Sequence, residues 1–186
     1  MSRSPMPIED YLRVGGDTVV VIERAREPSA LLARIAGLAP WLTLIHVPDE
    51  GQARLRAEGR RPHGEITFMG PVEGRLVEVL VELIRALSTG QIPFDTPATP
   101  GLLSELAQKR FVGVHVTASC PYCPAVARAA LLLALGSPFV DVAVIRAAHA
   151  PSPRVLATPS VIVDGELVAT GPIGEYALAE RVVAGR

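Results

Sequence analysis

Cys120-Pro121-Tyr122-Cys123 decides how this chain reads, and its neighbours say why. These are the only two cysteines in 186 residues. Immediately upstream, Phe111-Val112-Gly113-Val114-His115-Val116 alternates and is rich in β-branched residues, which predicts a strand. Immediately downstream, Pro124 to Leu135 is dense in Ala and Leu and stops at Gly136, which predicts a helix. The pair therefore falls at a strand-to-helix junction, with Cys120 near the helix N-terminus. The first N–H groups of a helix lack intrahelical partners, and the helix dipole favours negative charge there. A cysteine titrates near ~8.5 when free, and a helix N-terminus or a C-x-x-C arrangement lowers that value. Cys120 is thus the candidate nucleophile. Cys123, one helical turn on, is close enough to form a small disulfide with it.

Two other readings use the same residues. C-x-x-C is also half of a zinc site, but a second cysteine pair is missing. The four histidines, His46, His63, His115 and His149, do not fall at H-x3–5-H spacing either. The remaining reading is a non-catalytic binding module with a buried structural pair.

Composition narrows the classes. Hydrophobic residues make up 49 % of the chain and aromatics 4 %, so aliphatic packing builds the core. A net charge of −1 gives no reason to expect nucleic-acid or anionic-membrane binding. No apolar run approaches the length of a membrane span, and Arg128 interrupts the Ala/Leu helix. Met1-Ser2-Arg3-Ser4-Pro5 leads into no apolar leader core. The expectation is a soluble, cytoplasmic protein, where a lone cysteine pair is more often catalytic than structural.

The rest of the chain falls into two halves. A helical turn is expected around Ile8–Val14, then a strand over Thr18–Glu23. A helix after Pro28-Ser29 carries Leu31, Leu32, Ile35 and Leu38, and a strand follows at Leu42–Val47. This β-α-β order favours parallel pairing. Ala53–Ala57 and Glu65–Met69 read as two further strands, and Arg75–Leu87 as a helix ending at Gly90. Ile92 to Gly101 is dense in proline and reads as a linker, followed by a short helix over Leu102–Lys109. After the cysteines come a strand at Phe139–Ile145 and a loop over Arg146–Arg154. A hairpin turning at Asp164-Gly165 and a helix over Glu175–Val183 complete the chain. The fold class is α/β: two modules at 1–92 and 102–186, joined by a linker at 93–101. Each module is β-α-β-β-β-α, and only the second carries C-x-x-C.

With Ala157-Thr158-Pro159 opening a hairpin strand after the C-x-x-C, the second half resembles the thioredoxin-like superfamily. That resemblance implies a cis Pro159 beside the sulfurs and a Thr158 backbone that pairs with an extended substrate chain. Pro121, Tyr122, Thr158 and Pro159 are then the substrate-binding residues beside catalytic Cys120 and Cys123. The tandem plan resembles the N-terminal domain of bacterial alkyl hydroperoxide reductase flavoproteins, most clearly at Glu65-Ile66-Thr67-Phe68-Met69-Gly70-Pro71 with Gly74. Archaeal-type protein disulfide oxidoreductases share the plan, usually with C-x-x-C in both halves. The resemblance implies electron transfer to a protein disulfide, with a peroxiredoxin as the candidate partner. The donor is then an external reductase or glutathione, and the alternative reading is a glutathione-dependent, glutaredoxin-like reductase.

This sequence departs from those families in several places. No G-x-G-x-x-G stretch occurs, so no flavin or nicotinamide site is expected, and the only redox group is the Cys120–Cys123 disulfide. Arg75-Leu76-Val77 stands where the flavoprotein family has an acidic residue after Gly74. Val114 stands where thioredoxins keep a buried Asp, and neighbouring His115 faces the other way, as a structural histidine. Cys-Pro-Tyr-Cys is the glutaredoxin motif, yet Gly171-Pro172-Ile173-Gly174 separates the glycines that help glutaredoxins hold glutathione. The expected potential lies between the glutaredoxin range of about −200 to −230 mV and the thioredoxin value of about −270 mV.

Overall fold

The computed structural model describes residues 8–13, 15–51 and 53–185. The first module comprises α1 (Ile8–Arg13), β1 (Val19–Ala25), α2 (Ala30–Leu38), β2 (Leu42–Pro48), β3 (Arg54–Glu58), β4 (Ile66–Met69) and α3 (Leu76–Thr89). After α4 (Thr99–Leu103), the second module runs β5 (Arg110–Val116), α5 (Cys123–Gly136), β6 (Val140–Arg146), β7 (Ser160–Val163), β8 (Glu166–Thr170) and α6 (Glu175–Ala184). The β-α-β-β-β-α order of both halves is as the sequence implies. Of the turn expected around Ile8–Val14, α1 covers all but Val14, which lies outside the described residues, as do residues 1–7.

The local causes are ordinary chemistry. The Ser29 hydroxyl caps α2 by accepting the Leu32 N–H at 3.3 Å. α3 ends where Gly90 takes φ 67°, a left-handed turn that costs glycine little. The β7–β8 hairpin turns on Asp164 (φ 49°) and Gly165 (φ 89°), the pair of left-handed residues that suits the twist of its strands.

All eight strands form one sheet in the order β2-β1-β3-β4-β6-β5-β7-β8. Each module contributes four consecutive strands, and the two sets meet where β4 pairs in parallel with β6, Ile66 opposite Val142 and Phe68 opposite Val144. Alternation then sorts the side chains. Val21, Leu55, Phe68, Val114, Val142, Val144 and Val161 are buried in one cluster with residues of α2, α3, α5 and α6. Each fully buried Leu, Val or Phe contributes about 1.5–3 kcal/mol. On the opposite face Ile22, Arg54, Arg56, Thr67, Phe111 and Ile162 are half-buried or exposed.

The joint between modules is tight. Gly64 donates its N–H to the Ala134 carbonyl at 2.9 Å, and Val142 donates to the Glu65 carbonyl at 2.7 Å. A Cβ at Gly64 would overlap the Val140 carbonyl.

The helix expected over Leu102–Lys109 instead begins at Thr99 and ends at Leu103. Pro100 lies in its first turn, where the missing N–H costs nothing. The same proline that reads as a chain break is therefore a helix starter. The proline-dense stretch before it is fastened down. Buried Glu175 accepts the Thr99 hydroxyl at 2.7 Å and the Asp95 N–H at 2.9 Å.

Candidate active site

β5 ends at Val116, and the chain reaches α5 through Thr117, Ala118, Ser119, Cys120, Pro121 and Tyr122. Cys123 is the first helical residue, so Cys120 sits one turn ahead of the helix and faces its free N–H groups. The two cysteines form a disulfide, with Cα atoms 5.4 Å apart. The Cys123 N–H donates to the Cys120 sulfur at 3.1 Å. Cys120 is half-buried, whereas Cys123 is only 1 % exposed beneath it. One sulfur is therefore reachable and the other shielded.

Of the remaining residues singled out in the sequence, Thr158 is placed against that sulfur, with Pro159 next to it in the chain and Pro121 and Tyr122 between the cysteines. The Thr158–Pro159 peptide bond is cis. The Thr158 carbonyl oxygen lies 3.5 Å from the Cys120 sulfur, and its hydroxyl shares a 2.8 Å hydrogen bond with the Thr117 hydroxyl. Pro159 is buried, so the loop before β7 is anchored there. Pro121 is exposed and Tyr122 is 56 % exposed, so the tyrosine ring does not pack away against α5. Leu156, two residues before Thr158, is 95 % exposed.

Three features of the surroundings escape a linear reading. Arg128 is the one charge in the apolar face of α5. Its Nε donates to both carboxylate oxygens of Glu82 on α3, at 3.0 and 2.9 Å. Its other nitrogens reach Asp95 and the Pro93 carbonyl, each at 2.9 Å, so the redox helix is tied to the first module. The signal for this was the lone arginine among Ala and Leu. Arg146, at the end of β6, pairs with Glu73 of the first module. That acid stands just before Gly74, not after it. In the first module, buried Glu23 accepts the Ser29 N–H at 3.1 Å and lies 3.3 Å from the His46 ring.

His115 is 5 % exposed, and its Nδ1 has no hydrogen-bond partner among the described residues. Burial lowers its pKa below the usual 6.5, because a charged ring would lose its water. The unfolded chain then binds the proton more readily than the folded one. Stability from this residue is therefore intact above about pH 6.5 and falls as the pH drops below it. Melting temperatures measured from pH 7.5 down to 5 should fall less steeply for His115→Gln than for the wild type. Equal slopes would remove His115 from the account.

Among the described residues, no three of His, Cys, Asp and Glu come together as a metal site. No helix among them is long and apolar enough to cross a membrane.

Comparison with known proteins agrees with this geometry. Residues 111–183 match the thioredoxin domain family. No curated protein matches the sequence. The alkylhydroperoxide reductase protein AhpF from Enterococcus faecalis superposes with a TM-score of 0.80 at 18 % identity. The match covers 94 % of this chain and 95 % of that one. The NTD_N/C domain of the same protein gives 0.79 at 16 %, covering 94 % and 95 %. A protein disulfide oxidoreductase from Aeropyrum pernix gives 0.81 at 21 %, covering 95 % and 89 %. Residues 111–183, which carry the disulfide, are thus similar to a thioredoxin domain, and they join edge to edge with a cysteine-free module in a fold similar to that of the AhpF N-terminal domain.

Proposed function

We propose that this chain is a cytoplasmic thiol–disulfide oxidoreductase that passes two electrons to a protein disulfide through Cys120 and Cys123. The observation that carries the reading is the asymmetry of the pair. Cys120 is reachable and accepts a helix N-terminal N–H, while Cys123 is shielded one turn behind it. In the reduced chain that N–H stabilises a Cys120 thiolate. The thiolate attacks one sulfur of the partner disulfide, forming a mixed disulfide and expelling the other partner sulfur as a thiolate that takes up a proton. Cys123 then loses its proton and attacks the Cys120 sulfur. The partner leaves as a dithiol, and the Cys120–Cys123 bond closes. The cis Pro159 loop and exposed Tyr122 line the approach to Cys120. An extended partner segment would lie against Thr158.

The names of the structural neighbours suggest the partners. A peroxiredoxin-type protein disulfide is the acceptor we favour, because one of those neighbours is an alkylhydroperoxide reductase component. An external reductase or a small thiol such as glutathione re-reduces the pair. The exchange we propose uses no bound cofactor beyond the disulfide itself.

The test uses Cys123→Ser. This variant keeps the attacking sulfur and loses the resolving one, so it should accumulate a mixed disulfide with its acceptor that dithiothreitol releases. Incubation with a peroxiredoxin disulfide should give a species of summed mass on a non-reducing gel. Absence of such a species with both a peroxiredoxin and insulin as acceptors would count against dithiol exchange.

A further inference from the structure

The two edges of the sheet are built differently. β8 is five residues long, begins with Glu166 and pairs with β7 through a register irregularity at Val161/Ile162. Shortness, charge and bulges are the means by which sheet edges avoid further pairing. β2 has none of them. It runs Leu42-Thr43-Leu44-Ile45-His46-Val47-Pro48, in unbroken parallel register with β1 from Leu42 to Pro48. It holds no Asp, Glu, Lys or Arg, and proline appears only at its last position. Among the described residues no strand pairs with its outer side.

We propose that the outer side of β2 pairs with β2 of a second copy of this chain, antiparallel about a two-fold axis, so that two sheets become one. The choice of occupant follows from the strand. A two-fold axis sets β2 against its own reverse, and most soluble oligomers are closed by such isologous contacts. With the axis normal to the sheet and centred on Ile45, Ile45 faces its mate, and Thr43 faces Val47 of the second copy. All of these belong to the open face of the sheet, so the helices of both copies stay on one side. The strand carries no fixed charge, so no like charges meet across the axis. Ile45 is 43 % exposed and lies beside half-buried Ile22, its register partner in β1. The pairing joins these two isoleucines to their counterparts in a single apolar stripe. On the helix face the same register sets His46, whose ring lies 3.3 Å from Glu23, opposite Leu44 of the second copy.

The inference does not depend on the redox reading, since neither cysteine is involved. The test is the solution mass by sedimentation or light scattering across the micromolar range. The wild type should weigh twice the 19.7 kDa chain. Ile45→Lys and Ile45→Glu should each weigh one chain, with unchanged circular dichroism, because like charges then meet at the axis. Mixing the two variants should restore the double mass. Thr43→Lys, at an exposed position, should weaken the dimer, and Leu167→Lys on β8 should leave it intact. A wild type that weighs one chain throughout overturns the proposal, even if it binds an added extended peptide at this edge. So does an Ile45→Lys variant that dimerises as well as the wild type.

Discussion

Replacing Cys120 with serine should reduce insulin-disulfide reduction to the uncatalysed background while leaving the fold intact. A serine hydroxyl is not ionised near neutral pH and forms no bond to a partner sulfur, so both the nucleophile and the covalent intermediate are lost. The expected fall in kcat/KM is at least about 1,000-fold, or about 4 kcal/mol of barrier. The fold should survive, because Cys120 is half-buried in a turn, while the core cluster around α5 rests on Val126, Leu131, Leu133 and their neighbours. Cys120→Ser and Cys123→Ser should differ in kind. The first forms no adduct with its acceptor, and the second forms one it cannot resolve. Full turnover by Cys120→Ser would falsify the assignment of the nucleophile.

The second large effect lies far from the sulfurs. Gly64→Ala should destabilise the protein by at least about 3 kcal/mol, the upper part of the range for overpacked sites. The new Cβ would overlap the Val140 carbonyl, which belongs to β6 and cannot swing aside as a side-chain tip can. The same residue donates to Ala134 of α5, so a shift of its backbone also opens that hydrogen bond. Against a typical total of about 5–15 kcal/mol, such a loss is severe. Gly37 supplies the control. It lies inside α2 with nothing within 4 Å of its would-be Cβ. Gly37→Ala should therefore stabilise by about 0.4–1 kcal/mol. Urea denaturation of the two variants checks both signs. A Gly64→Ala midpoint within error of the wild type would show that β6 can yield.

The sequence was informative where a local pattern has one physical solution. β-branched runs became β1, β5 and β6, Gly90 and Gly136 closed their helices, and Asp164-Gly165 turned the hairpin. The cysteine spacing, set between a strand and a helix, located the site. What stayed illegible was tertiary pairing. Nothing near Arg128 in sequence announces Glu82, Pro93 or Asp95, and nothing near Glu175 announces Thr99. Glu73 and Arg146 are separated by 73 residues and meet only because β4 and β6 are neighbours. α4 was misplaced because proline disfavours a helix interior yet favours its first turn, and composition alone does not tell which applies.

The parallel seam between β4 and β6 has an architectural consequence. Each half shields a flank that the other would otherwise leave bare. Cut free, it would bare the backbone of Val140–Arg146 along with much of the apolar surface of α5 that α3 covers, and surfaces of that kind clump or seek replacement strands. Residues 102–186 expressed alone should therefore self-associate more readily than the whole chain, as gel filtration of the two would show.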